Sequence, residues 1–483
     1  MEAITLAAGL ALPWWLGVAF VLALRPARQA AGEVAWVCGA GYLAGAFLLT
    51  AWMRALSLAG VKFGGAAIAL PLVVAAIAFT VLAWRRGRAE PQPRHAAWRA
   101  LVTPPDLAAA ARVAWWLLIA WLVVRFALLG VELWSRPLYP WDAWTQWGTK
   151  ARVWYELGHV APFARVEAWL AANGAVYFDA SPEYPPTMPL LQVWSCIALG
   201  RWDDTLMNGP WWLIGIALTL AVYGGLRALG ASALAALVGA FFVASLPLAN
   251  VHVALAGYAD LPMAAYYTAA ALALLRWNRS RDASDAGVAL LLAIACTQIK
   301  NPGWFWAATL VPGLVVAMWP RHGLRIAFAG FAVAGVALVA LARFKLRLFN
   351  YDLGLSYAPA WGDLADSYFL LGNWNLLWYG AVAVALLAWR QLLAPALAPL
   401  TTIVAGGLLF LFVVFGFTTA SLYISDQTTV NRATLHLAPL IAVFIVLAWQ
   451  AFAQRWTIAR PSPGDAQDAL PATGNAGAAQ ASN

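Results

Sequence analysis

Residues 395–417 read PALAPLTTIVAGGLLFLFVVFGF, a run of 23 positions without a charged side chain. Hydrocarbon about 30 Å thick is crossed by an α-helix of roughly 17–25 apolar residues. Within lipid, only helices and closed barrels satisfy every backbone hydrogen bond, and barrel strands are segments of about 10 residues with alternating polarity. The run is long and does not alternate, so it predicts a membrane-spanning helix.

Runs of this kind recur along the whole chain. Of its 483 residues, 63% are hydrophobic and 11% are charged, whereas a soluble domain is about 25% charged. The pattern predicts an all-α polytopic membrane protein with about 13 transmembrane helices. The predicted spans are residues 4–24, 33–53, 63–84, 113–131, 209–228, 231–250, 258–277, 285–300, 303–320, 324–342, 372–390, 395–417 and 434–453.

The distribution of arginine predicts the orientation of these spans. The arginine-rich segment 85–112 marks the cytoplasmic side, because basic residues are retained there. Counting spans from it puts the N-terminus and residues 132–208 outside and the C-terminus inside, as in a multi-pass protein of the cell inner membrane. The net charge of +9 then reflects topology and not binding to nucleic acid.

The apolar run 187–200 lies between two outside segments, so we expect it to dip into the membrane or lie flat without crossing.

The pattern divides the chain into three regions. Residues 1–112 hold extra N-terminal transmembrane helices and the cytoplasmic basic loop, and the first helix is predicted to be a retained signal anchor. Residues 113–453 are predicted to form the main transmembrane region, which includes the large periplasmic loop 132–208. Residues 454–483 are rich in Ala, Pro and Gly and predict a disordered cytoplasmic tail.

The periplasmic loop carries eight of the 21 acidic residues and the segment PWDAWTQWGTKARVWYELG, which begins at Pro140. Trp141, Trp144 and Trp147 lie three residues apart, which predicts an amphipathic helix at the outer membrane interface. Such a helix would hold Asp142 at the depth of the lipid headgroups, where a partly desolvated carboxylate suits a general base. Asp142 fits an exposed N-cap position equally well. Trp144, three residues from Trp141, is a candidate to contact the substrate.

A second carboxylate of the loop, Glu183, precedes Tyr184-Pro185-Pro186. The prolines stiffen the backbone, so Glu183 is expected on a rigid turn that enters the next helix. Glu183 is the second catalytic candidate, and Tyr184 is a candidate substrate contact. The alternative is a structural role, because the helix dipole favours an acid in the first turn.

Four more ionisable residues interrupt apolar segments on the outer side. Asp260 begins one predicted span, and Lys300 lies in a short polar break between two others. Arg432 and His436 open the last span. Ionisable groups at membrane depth indicate function by default, and cations there suit a phosphate ligand. The structural alternatives are an Asp260 that faces water and a Lys300 that extends to the interface.

Common catalytic motifs are absent from the sequence. It contains no P-loop, GxGxxG, HExxH, GxSxG or CxxC pattern, which argues against ATP-driven, dinucleotide-dependent, zinc-protease and serine-hydrolase chemistry. No cofactor is predicted, and a divalent metal is left open. The outer carboxylates and cations fit group transfer from a phosphate-bearing lipid. In that chemistry a carboxylate deprotonates the acceptor hydroxyl and cations stabilise the departing phosphate.

Four local patterns follow one another along the chain. They are an acid early in the first large outer loop (Asp142), an acid before Pro-Pro at its exit (Glu183), a Tyr-Ala-Asp-Leu-Pro helix start (258–262), and a lysine at the outer end of a later helix (Lys300). In this order they resemble the C-type (GT-C) integral-membrane glycosyltransferases, a group that includes protein O-mannosyltransferases and lipid A aminoarabinose transferases. The resemblance covers roughly residues 113–453. Three helices precede the one that feeds the loop, more than is usual in that family.

The resemblance implies a donor, an acceptor and residue roles. The donor would be a polyprenyl-phosphate sugar, used with inversion and without a nucleotide. The acceptor would be a periplasmic glycan, lipid or protein. Asp142 would be the base, and Glu183 and Asp260 would position hydroxyl groups. Lys300 would contact the donor phosphate, and Arg432 is a second phosphate cation on charge grounds alone.

Two other functional classes stay open. A secondary transporter would use charges at the membrane midplane and broken helices. Pro302 and Pro312, between and within the predicted spans 285–300 and 303–320, are consistent with such breaks. A polysaccharide polymerase or ligase would use a lipid-diphosphate donor and more arginine in its outer loops than this chain has.

Overall fold

The computed structural model describes residues 1–24, 31–88, 107–343, 347–348, 351–352, 356–358 and 360–458. Four long helices come first: α1 (Glu2–Leu24), α2 (Glu33–Leu58), α3 (Gly65–Arg88) and α4 (Ala109–Trp134). Shorter elements follow: a π-helical segment (Ala143–Gly148), α5 (Thr149–Leu157), β1 (Phe163–Ala164), α6 (Val166–Ala171), β2 (Tyr177–Phe178), α7 (Thr187–Leu199) and a 3-10 turn (Leu206–Asn208).

The rest of the described chain is again mostly helical. Its first part comprises α8 (Gly209–Ala228), α9 (Ala233–Ser245), α10 (Pro247–Ala254), α11 (Asp260–Ser280), α12 (Ala283–Thr297), α13 (Gly303–Met318), α14 (Gly323–Arg343), β3 (Arg347–Leu348) and β4 (Tyr351–Asp352). Its second part comprises α15 (Trp361–Ala365), a π-helical segment (Asp366–Leu370), α16 (Leu377–Leu387), α17 (Trp389–Leu392), α18 (Ala398–Phe417), a 3-10 turn (Thr419–Tyr423), α19 (Thr429–Leu435) and α20 (Ala438–Ile458). The strands form two short pairs, β1 with β2 in parallel and β3 with β4 antiparallel.

Seven helices in the described part of the chain are long and apolar enough to cross a membrane. They are α1, α2, α3, α4, α8, α18 and α20, and the pair α9–α10, bent by 60°, would make an eighth span. The protein is therefore an all-α protein with the helices of a membrane protein. This number is smaller than the 13 spans predicted from hydropathy, because several apolar runs form shorter helices.

Helix α11 shows why an apolar run need not be a lipid-facing span. Every residue from Asp260 to Arg276 is buried, so protein surrounds this helix along most of its length. A helix shielded by its neighbours can carry charges at both ends without exposing them to hydrocarbon. Asp260 and Arg276 lie near the two ends of α11 with signs that suit the helix dipole.

Glycines let the N-terminal helices approach one another closely. A Cβ added to Gly17 of α1 would lie 1.7 Å from the carbonyl oxygen of Gly41 of α2, and one added to Gly45 would lie 1.8 Å from that of Pro13. Small residues at such a crossing allow backbone contact between helices. Helix α2 also packs on α8, where a Cβ on Gly224 would lie 2.3 Å from the backbone nitrogen of Trp36. The region 1–112 therefore shares a core with the region that follows it.

The helix predicted at the membrane interface packs mainly into the protein. It runs as a π-helical segment into α5, and Trp147, Lys150 and Trp154 on one face are buried. The three-residue spacing therefore ends in a face covered by protein, and the position of the helix at the membrane interface stays a prediction. Trp141 and Trp144 at its start remain exposed, by 68% and 48%.

Helix α7 corresponds to the apolar run 187–200. It has 13 residues, which gives a length of about 20 Å, less than the hydrocarbon thickness. The indole nitrogen of Trp194 donates to the carbonyl oxygen of Gly9 in α1 at 2.8 Å. Protein thus covers this helix, and its position relative to a bilayer stays a prediction. The predicted disordered tail 454–483 is wrong at its start, because α20 continues to Ile458; from residue 459 onward the tail lies outside the described residues.

Replacing Gly17 by Ala is expected to destabilise the protein by about 1–3 kcal/mol, because the added methyl group overpacks the crossing of α1 and α2. The measurement is thermal unfolding of the purified protein in detergent. Gly287→Ala is the matched control, since a Cβ at this helical glycine meets no atom within 4 Å. Equal midpoints for the two variants would contradict the close packing of α1 on α2.

Candidate functional site

A buried carboxylate, that of Asp260, is the centre of a cluster of ionisable side chains. Its Oδ1 lies 2.8 Å from Nζ of Lys300 and 3.0 Å from Nε2 of His436. Its Oδ2 accepts from Nε of Arg432 at 2.8 Å. The Asp260 side chain is fully buried, so these contacts replace the hydration that the carboxylate loses.

Local sequence explains how Asp260 reaches this position. Gly257 has a φ of +105°, a conformation in which glycine is strongly favoured. A Cβ at Gly257 would also lie 2.5 Å from Cβ of Ala143, so a side chain here would separate α11 from the segment after Asp142. The indole nitrogen of Trp211 donates to the carbonyl oxygen of Tyr258 at 2.6 Å and holds the turn.

The basic partners come from two other parts of the chain. Lys300 follows the end of α12, in the polar break before Pro302 and α13. Arg432 lies on α19 and His436 directly follows it, four residues later. Residues four apart share one side of a helix, which explains why both contact the same carboxylate.

Arg432 connects Asp260 to the loop carboxylate Asp142. Its Nη2 lies 2.6 Å from Oδ2 of Asp142, and both side chains are about one-fifth exposed. The guanidinium also lies over the ring of Tyr258, with Cζ 4.3 Å from the ring centroid, a cation–π contact. Burial opposes the charge of Arg432, but Asp260 and Asp142 together raise its pKa above the ordinary value.

The cluster is balanced in charge. Its two carboxylates face two cations, and His436 completes it in a neutral form. Nδ1 of His436 is buried and has no hydrogen-bond partner among the described residues, so a proton on that nitrogen would be costly. The neutral tautomer with the proton on Nε2 satisfies the contact with Asp260.

Five of the residues singled out in the sequence therefore meet at one place. They are Asp142, Asp260, Lys300, Arg432 and His436. They come from segments far apart in the chain, so proximity in sequence did not bring them together.

Glu183, Tyr184 and Trp144 make other contacts. Glu183 pairs with Arg165 at 3.0 Å. Tyr184 stacks on Trp147, with ring centroids 5.3 Å apart and planes at 13°. Trp144 packs edge-on against Trp141. The contacts of Glu183 thus give no geometric support for a catalytic carboxylate beside Asp142.

The sequence did not single out Asp179, which forms a buried pair with Lys150. Nζ of Lys150 lies 3.4 Å from Oδ1 of Asp179 and donates to the carbonyl oxygen of Ser181 at 2.6 Å. Burial lowers the pKa of Lys150 and raises the pKa of Asp179, so burial opposes their charged forms. The pair joins the helical run that begins after Asp142 to the turn that leads into α7. The sequence did carry one sign of this pair. Lys150 lies on the same helical face as Trp147 and Trp154, which indicates a buried lysine that needs an acidic partner.

A second residue that sequence reasoning missed is His252 on α10. It is buried, and its ring centroid lies 5.3 Å from that of Tyr258, the residue under Arg432. His252 lies in an apolar helix, PLANVHVA, with no motif around it. Only the bend between α9 and α10 directs it toward the cluster.

A small cleft lies beside the cluster. It has a volume of about 10 Å³ and is lined by residues 133 and 136–140, Asn208 and residues 254–256. This is room for about one water molecule, far less than the roughly 300–1,000 Å³ of a ligand pocket. Pro140, at its edge, is two residues from Asp142.

The described part of the chain contains no group of three or more His, Cys, Asp or Glu side chains that could hold a metal ion. Asp142 and Asp260 are instead joined through Arg432. A divalent metal, left open by the sequence, has no ligand set within these residues.

Fold and site together define an all-helical protein with membrane-compatible helices and a buried, charge-balanced cluster. No protein-family model, curated protein or solved structure matches the chain.

Asp260→Asn is expected to destabilise the protein by about 3–5 kcal/mol, because Lys300 and Arg432 would lose the carboxylate that compensates their burial. Unfolding by heat or by titration with a denaturing detergent measures the change. Glu156→Gln is the control, since it removes only a 2.7 Å ion pair with Arg152 between exposed side chains, where about 1 kcal/mol or less is expected. Similar losses in both variants would argue against Asp260 as the centre of the cluster.

Proposed function

We propose that the protein is an inner-membrane glycosyltransferase that moves a sugar from a polyprenyl-phosphate donor to a periplasmic acceptor. The observation that carries the proposal is the position of Arg432, whose guanidinium contacts both Asp142 and Asp260. A carboxylate and two cations thereby lie within one hydrogen-bonded group. This is the set of groups that transfer from a phosphate-bearing lipid requires.

The proposed reaction is a single inverting displacement. A hydroxyl oxygen of the acceptor attacks the anomeric carbon while its proton moves to the carboxylate of Asp142. The bond between the anomeric carbon and the phosphate oxygen breaks, and its electron pair stays on the phosphate. The products are the glycosylated acceptor and the polyprenyl phosphate. Lys300 and Arg432 stabilise the charge that develops on the leaving phosphate.

The remaining residues are assigned supporting roles. Asp260 holds Lys300 and Arg432 at one place and, with His436, orients them toward the ligand. Trp141 and Trp144, both exposed beside Asp142, offer ring faces to a sugar or to lipid. Glu183 and Tyr184 belong to the loop around Lys150, so we assign them to the support of the site and keep Glu183 as the alternative base.

One observation favours a secondary transporter as the second candidate. Helices α9 and α10 form a pair bent by 60°, and broken helices with buried charges are typical of transporters. His252 on α10 lies near the charged cluster through Tyr258. Under this alternative the cluster would bind and release a transported anion or proton.

In proteoliposomes with labelled polyprenyl-phosphate sugars and a lipid extract as acceptor, the wild-type protein is expected to transfer sugar. Asp142→Asn is expected to lower the rate by about 10²–10⁴, the usual contribution of a general base. Glu156→Gln, which removes a surface carboxylate of the same helix, serves as the control and should retain the wild-type rate.

Transfer that survives in Asp142→Asn would move the base to Glu183 or Asp260. Absence of transfer with every donor, lipid-diphosphate sugars included, would refute the glycosyltransferase. Solute uptake by the same proteoliposomes would then test the transporter.

Lys300→Ala is expected to raise the KM for the donor more than it lowers kcat, because the ammonium contacts the phosphate before and during transfer. Steady-state rates at varied donor concentration measure both constants. Lys62→Ala, at an exposed lysine, is the control. An unchanged donor KM in a folded Lys300→Ala protein would remove Lys300 from the donor site.

A further inference from the structure

The guanidinium of Arg432 already holds carboxylates on two of its three nitrogens. Nε contacts Asp260 and Nη2 contacts Asp142. A guanidinium binds a phosphate with two hydrogen bonds either through Nε and Nη2 or through its two Nη atoms. Nη2 has one N–H on each of these edges, so the Asp142 carboxylate bonded to it places a negative charge beside a phosphate that approaches along either edge.

The charge balance of the cluster also opposes the binding of a phosphate while Asp142 is in place. Asp142 and Asp260 together match the charges of Lys300 and Arg432. A further anion therefore meets no surplus positive charge while Asp142 remains in place. Charges in contact interact strongly near a protein surface, so removing one carboxylate is expected to raise the affinity for an anion.

The two carboxylates differ in how firmly they are held. Asp260 is fully buried and contacts Lys300, Arg432 and His436. The contact of Asp142 within the described residues is the single ion pair with Arg432, and its side chain is partly exposed. Of the two, Asp142 is the carboxylate that leaves Arg432 at the lower cost.

From these observations we infer that the phosphate group of a ligand competes with Asp142 for Arg432, and that phosphate binding is what frees the Asp142 carboxylate. The inference rests on the proposed function only for the later use of Asp142 as a base. The protein without ligand then holds its base in an ion pair. An acceptor hydroxyl is activated only when a phosphate-bearing donor is bound.

The test is a binding measurement that needs no sugar transfer. Purified full-length protein in lipid nanodiscs is titrated with a polyprenyl monophosphate, with inorganic phosphate and with the uncharged polyprenol. Removing the competing carboxylate by Asp142→Asn is expected to tighten phosphate binding on the order of tenfold. Asp142→Ser is a second variant in case the asparagine side chain keeps a hydrogen bond to Arg432.

Two further variants complete the experiment. Combining Arg432→Gln with Asp142→Asn is expected to abolish the tighter phosphate binding of Asp142→Asn, because the guanidinium for which phosphate and Asp142 compete is lost. Glu156→Gln, which removes a carboxylate from a different arginine, should leave the dissociation constant unchanged. Tightening for the lipid phosphate alone identifies a lipid ligand, and equal tightening for inorganic phosphate identifies a free anion; both support the competition.

Unchanged or weaker phosphate binding in both folded Asp142 variants would overturn the inference, as would equal gains for the uncharged polyprenol. The outcome is separable from the proposed function. Tightening without any sugar transfer by the wild-type protein would keep the competition and reject the glycosyltransferase. Sugar transfer by the wild-type protein, without tighter phosphate binding in the Asp142 variants, would keep the glycosyltransferase and reject the competition.

Discussion

The burial of the Asp260 carboxylate is the constraint on which the arrangement of the site depends. A carboxylate without water requires several compensating contacts, and the cost of leaving it unpaired is several kcal/mol. Those contacts come from Lys300 after α12, and from Arg432 and His436 around α19. One buried charge thus fixes the relative positions of α11, α12 and α19. Arg432 extends the same set of contacts to the loop through Asp142.

The opposite end of α11 repeats this principle with the sign reversed. Arg276 is buried and contacts Glu33 of α2 at 2.8 Å and Asp285 of α12 at 3.2 Å. Its guanidinium also lies over the ring of Trp36. Between the two charged ends, α11 is rich in alanine and packs closely on its neighbours. An interior helix is thereby held at both ends by ionic contacts that only the assembled bundle provides.

The sequence predicted the helical membrane class and much of the polar cluster for one physical reason. A charge in an apolar segment is costly, and Asp260, Lys300 and Arg432 stand out for that reason. Glu183 belongs to a polar loop, where a charge needs no special explanation, and it pairs there with Arg165. Asp179 was missed on the same ground, because a loop acid is expected to face water; the sign of its burial was its partner Lys150, on the same face as Trp147 and Trp154.

The number of spans was less predictable, because hydropathy measures composition and not the surroundings of a helix. Helix α11 is enclosed by protein, and α12 and α13 have only 15 and 16 residues. All three lie in runs that hydropathy predicts to be spans. Protein-covered and lipid-covered helices share a composition, so the tertiary packing alone distinguishes them.

The distribution of the cluster along the chain has a consequence for biosynthesis. Asp260 and Lys300 are synthesised well before Arg432 and His436, which lie just ahead of α20. Until that segment has been synthesised, the nascent chain holds a carboxylate with an incomplete set of partners. Asp260 therefore gains its full set of compensating contacts only once α19 packs against α11.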